Sequence, residues 1–363
     1  MGKPTVAVAF GGRSSEHGVS CVTAAGVLGA IDRDRWNVVA LGITTDGRWT
    51  VASDVPEHWA IANGQLPTVA NDGETVLLPV RAGDTAWRVE GRDGRIRHLA
   101  DIDVVFPVLH GPFGEDGTLQ GALELLDIRY VGAGVLASAL GMDKQYMKTA
   151  FRDAGLPVTA DVVLHPGEEV STHMAQIEAL GLPLFVKPAR AGSSMGISRV
   201  DDLAELDAAV ADAVLHDPKV LIERAVSGRE IETAVLATAS EVRVSPAGEI
   251  VAGGDHDFYD FEAKYLDEGH VRLLCPTDLP DAVAATVADY ARRAFRAVGA
   301  EGLARVDAFV SEDGTVTVNE INTMPGFTTT SMYPRMWASA GVAYPELVQT
   351  LLETALSRRI GLR

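Results

Sequence analysis

Asp307, Glu320 and Asn322, with Arg305 beside them, are the residues whose types and spacing first suggest chemistry in this chain. They lie in LARVDAFVSEDGTVTVNEINTMPGFTTTSMYP, where two alternating runs flank Asp313-Gly314, the strongest short signal for a β-hairpin. A two-residue loop pairs Glu312 with Thr315, and counting outward sets Asp307 opposite Glu320 and Arg305 opposite Asn322. Like charges directly opposite one another destabilise a sheet. On a solvated hairpin they would be plain surface charge. The same count, however, places Leu303, Phe309, Val316 and Val318 on their face and Val306, Ala308, Val310 and Ile321 on the other. Charges in a hairpin that is apolar on both faces need partners or a cation. Two carboxylates and an amide are hard oxygen donors of the kind that hold Mg²⁺ and leave positions for water and phosphate oxygens.

A second stretch, PLFVKPARAGSSMGISRV, sets Lys187 near the end of a strand, just before a loop of Gly and Ser. The phosphate loop GxxxxGKS or GxxxxGKT occurs nowhere. A Gly-Ser loop still presents N–H groups and hydroxyls to phosphate oxygens, although most such loops are plain turns. Lys148 and Lys187 are candidate phosphate counter-ions, and each taken alone reads as a surface lysine. In LIERAVSGREIE, Glu223 and Glu230 follow a buried strand where they could bond a base and ribose hydroxyls; as an isolated pair they read as surface charge. The nucleotide reading needs the whole set.

These residues have to be positioned by a large scaffold. The chain has 363 residues, 47% of them hydrophobic, enough for two or three domains. Strand TVAVAF, a glycine pair, a helix from near Ser20, strand VVALGIT and strand DVVFPVLH predict a parallel sheet with ligands beyond the strands' carboxyl ends. A hairpin turned at Asp46-Gly47 opens a Gly- and Asp-rich stretch to about residue 100 that reads as a surface excursion. One helix near 137 to 154 stops at Gly155 and Pro157, a plausible domain border. Strands FVKPA and VLIERA follow, with a helix between them that Asp202 and Glu205 open in capping-box spacing. The last unit reads as α+β, with hairpins at VRVSPAGEIV and around Asp313 and a helix from Pro280 to about Val298 striped by Val283, Val287, Tyr290, Ala294 and Val298. A net charge of -19 argues against nonspecific nucleic-acid binding and requires a local Lys and Arg cluster for any anionic ligand. Cys21 and Cys275 have no metal-ligand spacing, so a reducing cytoplasm is expected. MGKPTVAVAF is no secretory signal, and no apolar run of about 18 residues suggests a membrane span.

The motifs FGGRSSEHGVS, HGPFGEDGTLQGALELLDIRYVGAGVLASALGMDK, FVKPARAGSSMGIS, FYDFEAKY, LARVDAF and NEINTMPGFTTTSMYP, in this order, make the chain resemble the ATP-grasp superfamily. Within it the likeness is to the D-alanine:D-alanine ligase family, and it runs nearly the full chain. The resemblance implies an α/β and α+β architecture of three units: residues 1–136 binding the first D-alanine, 137–227 as the central ATP-grasp part, and 228–363 carrying the metal site and a mobile loop. It implies that Glu16 holds the ammonium of the first D-alanine, with His110 lining the same subsite. By the same likeness Lys148, Lys187, Ser193 and Ser194 face the phosphates, Glu223, Val226 and Glu230 the base and ribose, and Lys264 and Tyr265 belong to a loop that closes over the site. Asp307, Glu320 and Asn322 match the ligands of two Mg²⁺ ions, with Glu320 shared and Mn²⁺ an alternative. Arg305 matches the arginine that steadies the transferred phosphoryl and the oxyanion, and Gly326 and Ser331 match the seat of the second substrate's carboxylate. Gly18 departs from the acidic residue that many relatives carry, which leaves the support of Glu16 open.

The activity implied is ATP-dependent formation of D-alanyl-D-alanine through an acyl phosphate, for peptidoglycan precursors, by a cytoplasmic homodimer that meets no nucleic acid or membrane. D-lactate or D-serine as second substrate is the alternative; Tyr265 favours D-alanine. A dehydrogenase would need GxGxxG where the chain has FGGRSSEH, and a non-catalytic nucleotide-binding module would lack some of the metal ligands or lysines, none of which is missing.

Overall fold

The protein is seen in a computed structural model that describes residues 2–71, 73–192, 195–252 and 271–359. The first sheet has eight strands: β1 (Thr5–Gly11), β2 (Asn37–Ile43), β3 (Trp49–Val51), β4 (Thr75–Leu77), β5 (Ala86–Glu90), β6 (Ile96–Asp101), β7 (Val104–Pro107) and β8 (Arg129–Tyr130), in the order β6-β5-β4-β3-β2-β1-β7-β8. β1 is buried along its whole length and pairs in parallel with β2 and β7, as a continuous apolar run demands. Helix α1 (His17–Ala30) makes the crossover from β1 to β2. The Asp46-Gly47 hairpin forms between β2 and β3. The stretch beyond it is no surface excursion: it adds β4, β5 and β6 to the sheet and buries Trp87 and Val89 completely. Its alternation is short and broken by Gly and Asp, so each strand carries too few apolar residues to announce itself.

The second sheet is antiparallel, with β9 (Asp161–Leu164), β10 (Leu184–Pro188), β11 (Ser198–Val200) and β12 (Val220–Arg224) in the order β11-β10-β12-β9. Beyond α2 (Thr118–Leu125), the single helix expected near 137 to 154 is two, α3 (Val135–Met142) and α4 (Lys144–Asp153), broken at Asp143. The Asp143 side chain accepts the amides of Gln145 and Tyr146, restarting the chain as a capped helix that ends at Gly155. Helices α5 (Val170–Leu180) and α6 (Leu206–Val214) cover the sheet. Asp202 caps a 3₁₀ turn just ahead of α6, while Glu205 reaches back to the Asp201 amide rather than to that of Asp202.

The third sheet holds β13 (Arg229–Ala237), β14 (Val242–Val244), β15 (Gly248–Ala252), β16 (Val271–Leu274), β17 (Leu303–Val310) and β18 (Val316–Asn322). VRVSPAGEIV is not a hairpin. Its two strands lie end to end along β13, split where the Ser245 hydroxyl takes the Ala234 amide. Helix α7 (Asp281–Ala297) packs with Val287, Ala294 and Val298 in the core as its stripe predicts.

The Asp313 hairpin reaches the expected register by a different route. Ser311 pairs with Thr315 around a three-residue turn in which Gly314 has φ +82°, and a bulge between Asp307 and Ala308 then absorbs the extra residue, Asn319. Asp307 therefore stands opposite Glu320, and Arg305 opposite Asn322. The bulge also moves Val316 and Val318 to the core face, opposite Val310 and Ala308. One face of the hairpin is thus wholly apolar, while the other carries Arg305, Asp307, Glu320 and Asn322 with Leu303 and Phe309 flanking them.

The sheets share cores across the chain order. Helix α8 (Met332–Ser339) packs on β13 and against α9 (Tyr344–Ser357), which returns to β7 and β8 of the first sheet through Leu347 and Leu351, and α4 packs Met147 and Phe151 against the third sheet. No helix among the described residues is long and apolar enough to cross a membrane.

Candidate active site

The carboxyl ends of β1 and β7 form the first part of the site. Gly11 and Gly12 turn the chain at positive φ, and a Cβ on Gly11 would lie 2.4 Å from the Ile43 carbonyl oxygen, so only glycine fits. Ser20 and Ser14 tie this turn to β7 and its continuation by donating to the carbonyls of Val108 and His110, each at 2.7 Å. Glu16 is thereby held at the head of α1, with its carboxylate against Gly111 and Gly192, so it touches both the first sheet's loop and the Gly-Ser loop. His110 is buried, with Nε2 3.1 Å from the Thr23 hydroxyl and Nδ1 3.1 Å from the Met324 carbonyl oxygen. Burial opposes its charge, but Glu115 at 3.7 Å, Glu16 and that carbonyl outweigh the cost and raise the His110 pKa. Burial likewise lifts the Glu115 carboxyl, against the pull of His110.

Gly18 is explained by packing. A Cβ there would sit 2.5 Å from Cβ of Leu66, whose side chain covers the first turn of α1 next to Glu16. Gly18→Asp is expected to cost about 1–3 kcal/mol through this overlap, and Leu66→Gly in the same chain, which removes the overlapping Cβ, should restore part of the loss in thermal unfolding relative to Leu66→Gly alone. A loss just as large in the Leu66→Gly background would remove Leu66 as the cause.

The nucleotide candidates gather on the second sheet. Asp161 and Glu223 are directly opposed on β9 and β12, and the Lys148 ammonium lies between them, 3.0 Å from Asp161, 2.7 Å from the Thr159 hydroxyl and in close contact with Glu223. The other Glu223 oxygen pairs with Lys187. Burial works against the Glu223 charge, yet Lys187 and Lys148 bring its pKa down to about 2. Lys187 is raised, because Glu223, Glu320 and Asp161 outweigh its burial. Lys148 is sealed from solvent and serves these two carboxylates. Lys144, which carried no separate signal in the sequence, is the lysine that faces the metal-type residues: its ammonium donates to the Ala191 carbonyl at 2.9 Å and lies 3.8 Å from Glu320. Its place in GMDK, directly after the Asp143 cap, is the sign that could have found it. Val226 is half-buried, and Glu230 is exposed on β13, opposite Phe309. Ser193, Ser194, Lys264 and Tyr265 lie outside the described residues.

On the third sheet, Glu232, Asp307 and Glu320 stand in one row across β13, β17 and β18. Glu232 was not foreseen, because the pairing of β13 with β17 is not a local feature. Arg305 bonds Asp307 through two nitrogens at 2.7 and 2.6 Å and lies 3.2 Å from Glu232, while the Asn322 amide donates to Asp307 at 3.1 Å. Burial opposes the guanidinium charge, but Asp307 and Glu232 hold its pKa well above the usual range, so Arg305 stays charged. Among the described residues no three His, Cys, Asp or Glu side chains converge tightly enough to hold a metal by themselves. Asp307, Glu320 and Asn322 offer hard oxygen donors of the kind a divalent cation takes.

The loop after β18 completes the site. His110 holds it at Met324 and Tyr344 at Phe327, whose carbonyl accepts the tyrosine hydroxyl at 2.7 Å. Ser331 heads α8, but its hydroxyl turns back to Thr328 at 2.7 Å and does not cap the helix. The head of α8 is thus a helix N-terminus without a side-chain cap.

Residues 5–133 match the family described as "D-ala D-ala ligase N-terminus" and residues 150–353 the family described as "D-ala D-ala ligase C-terminus". The chain is 58% identical to a D-alanine--D-alanine ligase of Kineococcus radiotolerans, covering 99% of both chains. It is 54% identical to one of Pseudarthrobacter chlorophenolicus, covering 99% of this chain and 96% of that one. Among solved structures it is similar to the VanG D-Ala:D-Ser ligase from Enterococcus faecalis, with TM-score 0.85 and 34% identity over 98% of this chain and 100% of that one. It is also similar to the D-alanine-D-alanine ligase from Coxiella burnetii, with TM-score 0.83 and 33% identity over 98% and 94% of the two chains. With both halves matched, and relatives more than half identical over nearly its whole length, this chain belongs to the D-alanine–D-alanine ligase family.

Proposed function

We propose that this chain joins two molecules of D-alanine to D-alanyl-D-alanine, driven by ATP, through an acyl phosphate of the first, in the cytoplasmic synthesis of peptidoglycan precursors. The observation that carries this reading is the facing of two charge sets. Arg305 and the carboxylate row on the third sheet meet Lys144 across 3.8 Å, with Lys187 on the neighbouring sheet. A carboxylate and an ATP γ-phosphate repel each other unless cations lie between them, and such positioned charge does most of the work in phosphoryl transfer. We assign residues 1–136, 137–227 and 228–363 to the first-substrate, central and metal-bearing units.

Glu16 binds the ammonium of the first D-alanine and orients its carboxylate, one oxygen of which attacks the γ-phosphorus as ADP leaves. Lys144 and Lys187 face the phosphates, with Lys148 behind them holding Glu223, and Ser193, Ser194, Val226, Glu223 and Glu230 complete the nucleotide site. Asp307, Glu320 and Asn322 would hold two Mg²⁺ ions with Glu320 shared, or Mn²⁺ in their place, and the ions supply charge neutralisation on the triphosphate. The second D-alanine seats its carboxylate at Gly326 and Ser331; its amine, having lost a proton, attacks the acyl carbon, and phosphate departs with the electrons of the broken C–O bond. Arg305 stabilises the oxyanion, while Lys264 and Tyr265 keep water from the acyl phosphate. A homodimer belongs to the same reading, supported by the exposed Leu125, Val135 and Leu136 on α2 and α3, and sedimentation at twice the monomer mass checks it.

D-serine or D-lactate as second substrate is the other reading, and one similar solved structure, VanG, is a D-Ala:D-Ser ligase. ADP release and product mass are to be measured with ATP, Mg²⁺ and D-alanine alone, with L-alanine alone, and with D-alanine plus excess D-serine or D-lactate. The expected product is D-alanyl-D-alanine from D-alanine only. A mixed dipeptide or depsipeptide as the main product would move the chain to another branch, and no product would refute the assignment.

A further inference from the structure

The Gly-Ser loop is held at both ends by one short turn. Helix α6 ends at Val214, and His216 and Asp217 follow, their amides still bonded to the Ala213 carbonyl. Asp217 is only 3% exposed. Its Oδ2 accepts the Arg190 backbone amide and Arg190 Nε, both at 2.9 Å, while Oδ1 accepts Arg190 Nη2 at 2.6 Å and the Lys219 amide at 3.0 Å. Four donors on one buried carboxylate fix the entry to the loop. At the exit, Gly196 has φ +68°, and a Cβ there would lie 2.4 Å from His216 and 3.0 Å from Pro188. Entry and exit therefore rest on neighbouring residues of the same turn.

This clamp also reaches the active-site lysine. Just before Arg190, Ala189 is bonded on both sides, its amide to the Lys219 carbonyl and its carbonyl to the Lys144 amide, at 2.9 and 3.0 Å. The next carbonyl, Ala191, takes the Lys144 ammonium at 2.9 Å and so directs it toward Glu320. Lys219 continues the frame by pairing with Asp143, the residue that caps α4 just before Lys144.

We propose that Asp217, through Arg190, is a positioning residue for ATP: it sets residues 189–191, and with them the Lys144 ammonium, without touching substrate. The proposal rests on the ligase reading above. Removing the carboxylate's charge leaves the turn in place but loosens a charge-assisted, bidentate grip, which is worth about a tenfold change in an equilibrium.

The test compares wild type with Asp217→Asn, Asp217→Glu, Arg190→Met and the double variant Arg190→Met/Asp217→Asn, measuring Tm and the KM for ATP and for D-alanine in the ligase assay. Asp217→Asn and Arg190→Met are each expected to raise the KM for ATP about tenfold with the KM for D-alanine nearly unchanged, Asp217→Glu to recover part of the loss, and the double variant to be no worse than either single one. Equal changes in both KM values, an unchanged KM for ATP, or additive losses in the double variant would overturn the proposal. If Asp217→Asn fails to fold, Arg190→Met, whose side chain is half exposed, carries the same test. A wild-type chain that makes no D-alanyl-D-alanine refutes the ligase reading instead, so the two failures are distinct.

Discussion

Glu320→Gln is expected to lower kcat by roughly 10³-fold while leaving the melting temperature unchanged or slightly raised. Glu320 faces Asp307 across β17 and β18, and its carboxylate is about one-third exposed, with Lys144 at 3.8 Å. Two carboxylates opposed in a sheet repel each other, and a partly exposed ion pair at that distance contributes about 0–1 kcal/mol. Neutralising one of them trades relief of that repulsion against a weaker pull on Lys187 and Arg305, so the resting protein changes little in stability. On the proposed function, what is lost is the shared oxygen donor for cations bound with the triphosphate, because a neutral amide binds a hard divalent ion far less well. Kinetics alongside thermal unfolding separate the two effects. Activity and stability falling together would mean that Glu320 belongs to the framework of the hairpin and not to its chemistry.

Glu223→Gln should have the opposite balance, with a loss of stability of about 3–5 kcal/mol. Glu223 is buried and pairs with both Lys148 and Lys187, so the amide leaves Lys187 without its paired carboxylate and Lys148 with Asp161 alone. The same pairing predicts the acid limb of stability. The Glu223 pKa falls from its ordinary 4.5 to about 2 in the folded chain, so its contribution is complete above the unfolded value and is lost as pH falls through the folded one. That contribution is roughly 3 kcal/mol. Denaturant unfolding at a series of pH values between neutral and acid should show a steep decline for wild type and a flatter one for Glu223→Gln. Parallel curves for the two proteins would show that Glu223 is not the group responsible.

The sequence carried the hairpin well, but for reasons that did not all hold. A two-residue loop gives Asp307 opposite Glu320, and so does the actual three-residue turn once the bulge at Asn319 is added. The two departures cancel in register and not in facing, which is why Val316 and Val318 lie in the core. Strands with long apolar runs, such as β1, were legible; β4 with three residues and β5 with five were not, because so few residues carry too little alternation to stand out. The α3–α4 break turns on a single Asp143 side chain whose other oxygen answers to Lys219, a contact no local pattern contains. The same holds for the site. Residue types at Glu16, Arg305 and Asp307 were readable, but the bond from His110 to the Met324 carbonyl, which ties the first subsite to the loop of the second, spans 214 residues. Lys144 and Lys148 are one helical turn apart and look alike in sequence; only the opposed Asp161 and Glu223 decide that Lys148 turns inward.

The most direct test of the central claim follows the oxygen. D-alanine labelled with ¹⁸O in its carboxylate is supplied with ATP and Mg²⁺, and the released inorganic phosphate is analysed by mass spectrometry. If the first substrate is activated as its acyl phosphate, one labelled oxygen passes into phosphate for each dipeptide formed. Unlabelled phosphate accompanying D-alanyl-D-alanine would contradict the account, because the carboxylate would then have been activated by some other route than attack on the γ-phosphate facing Lys144, Lys187 and Arg305.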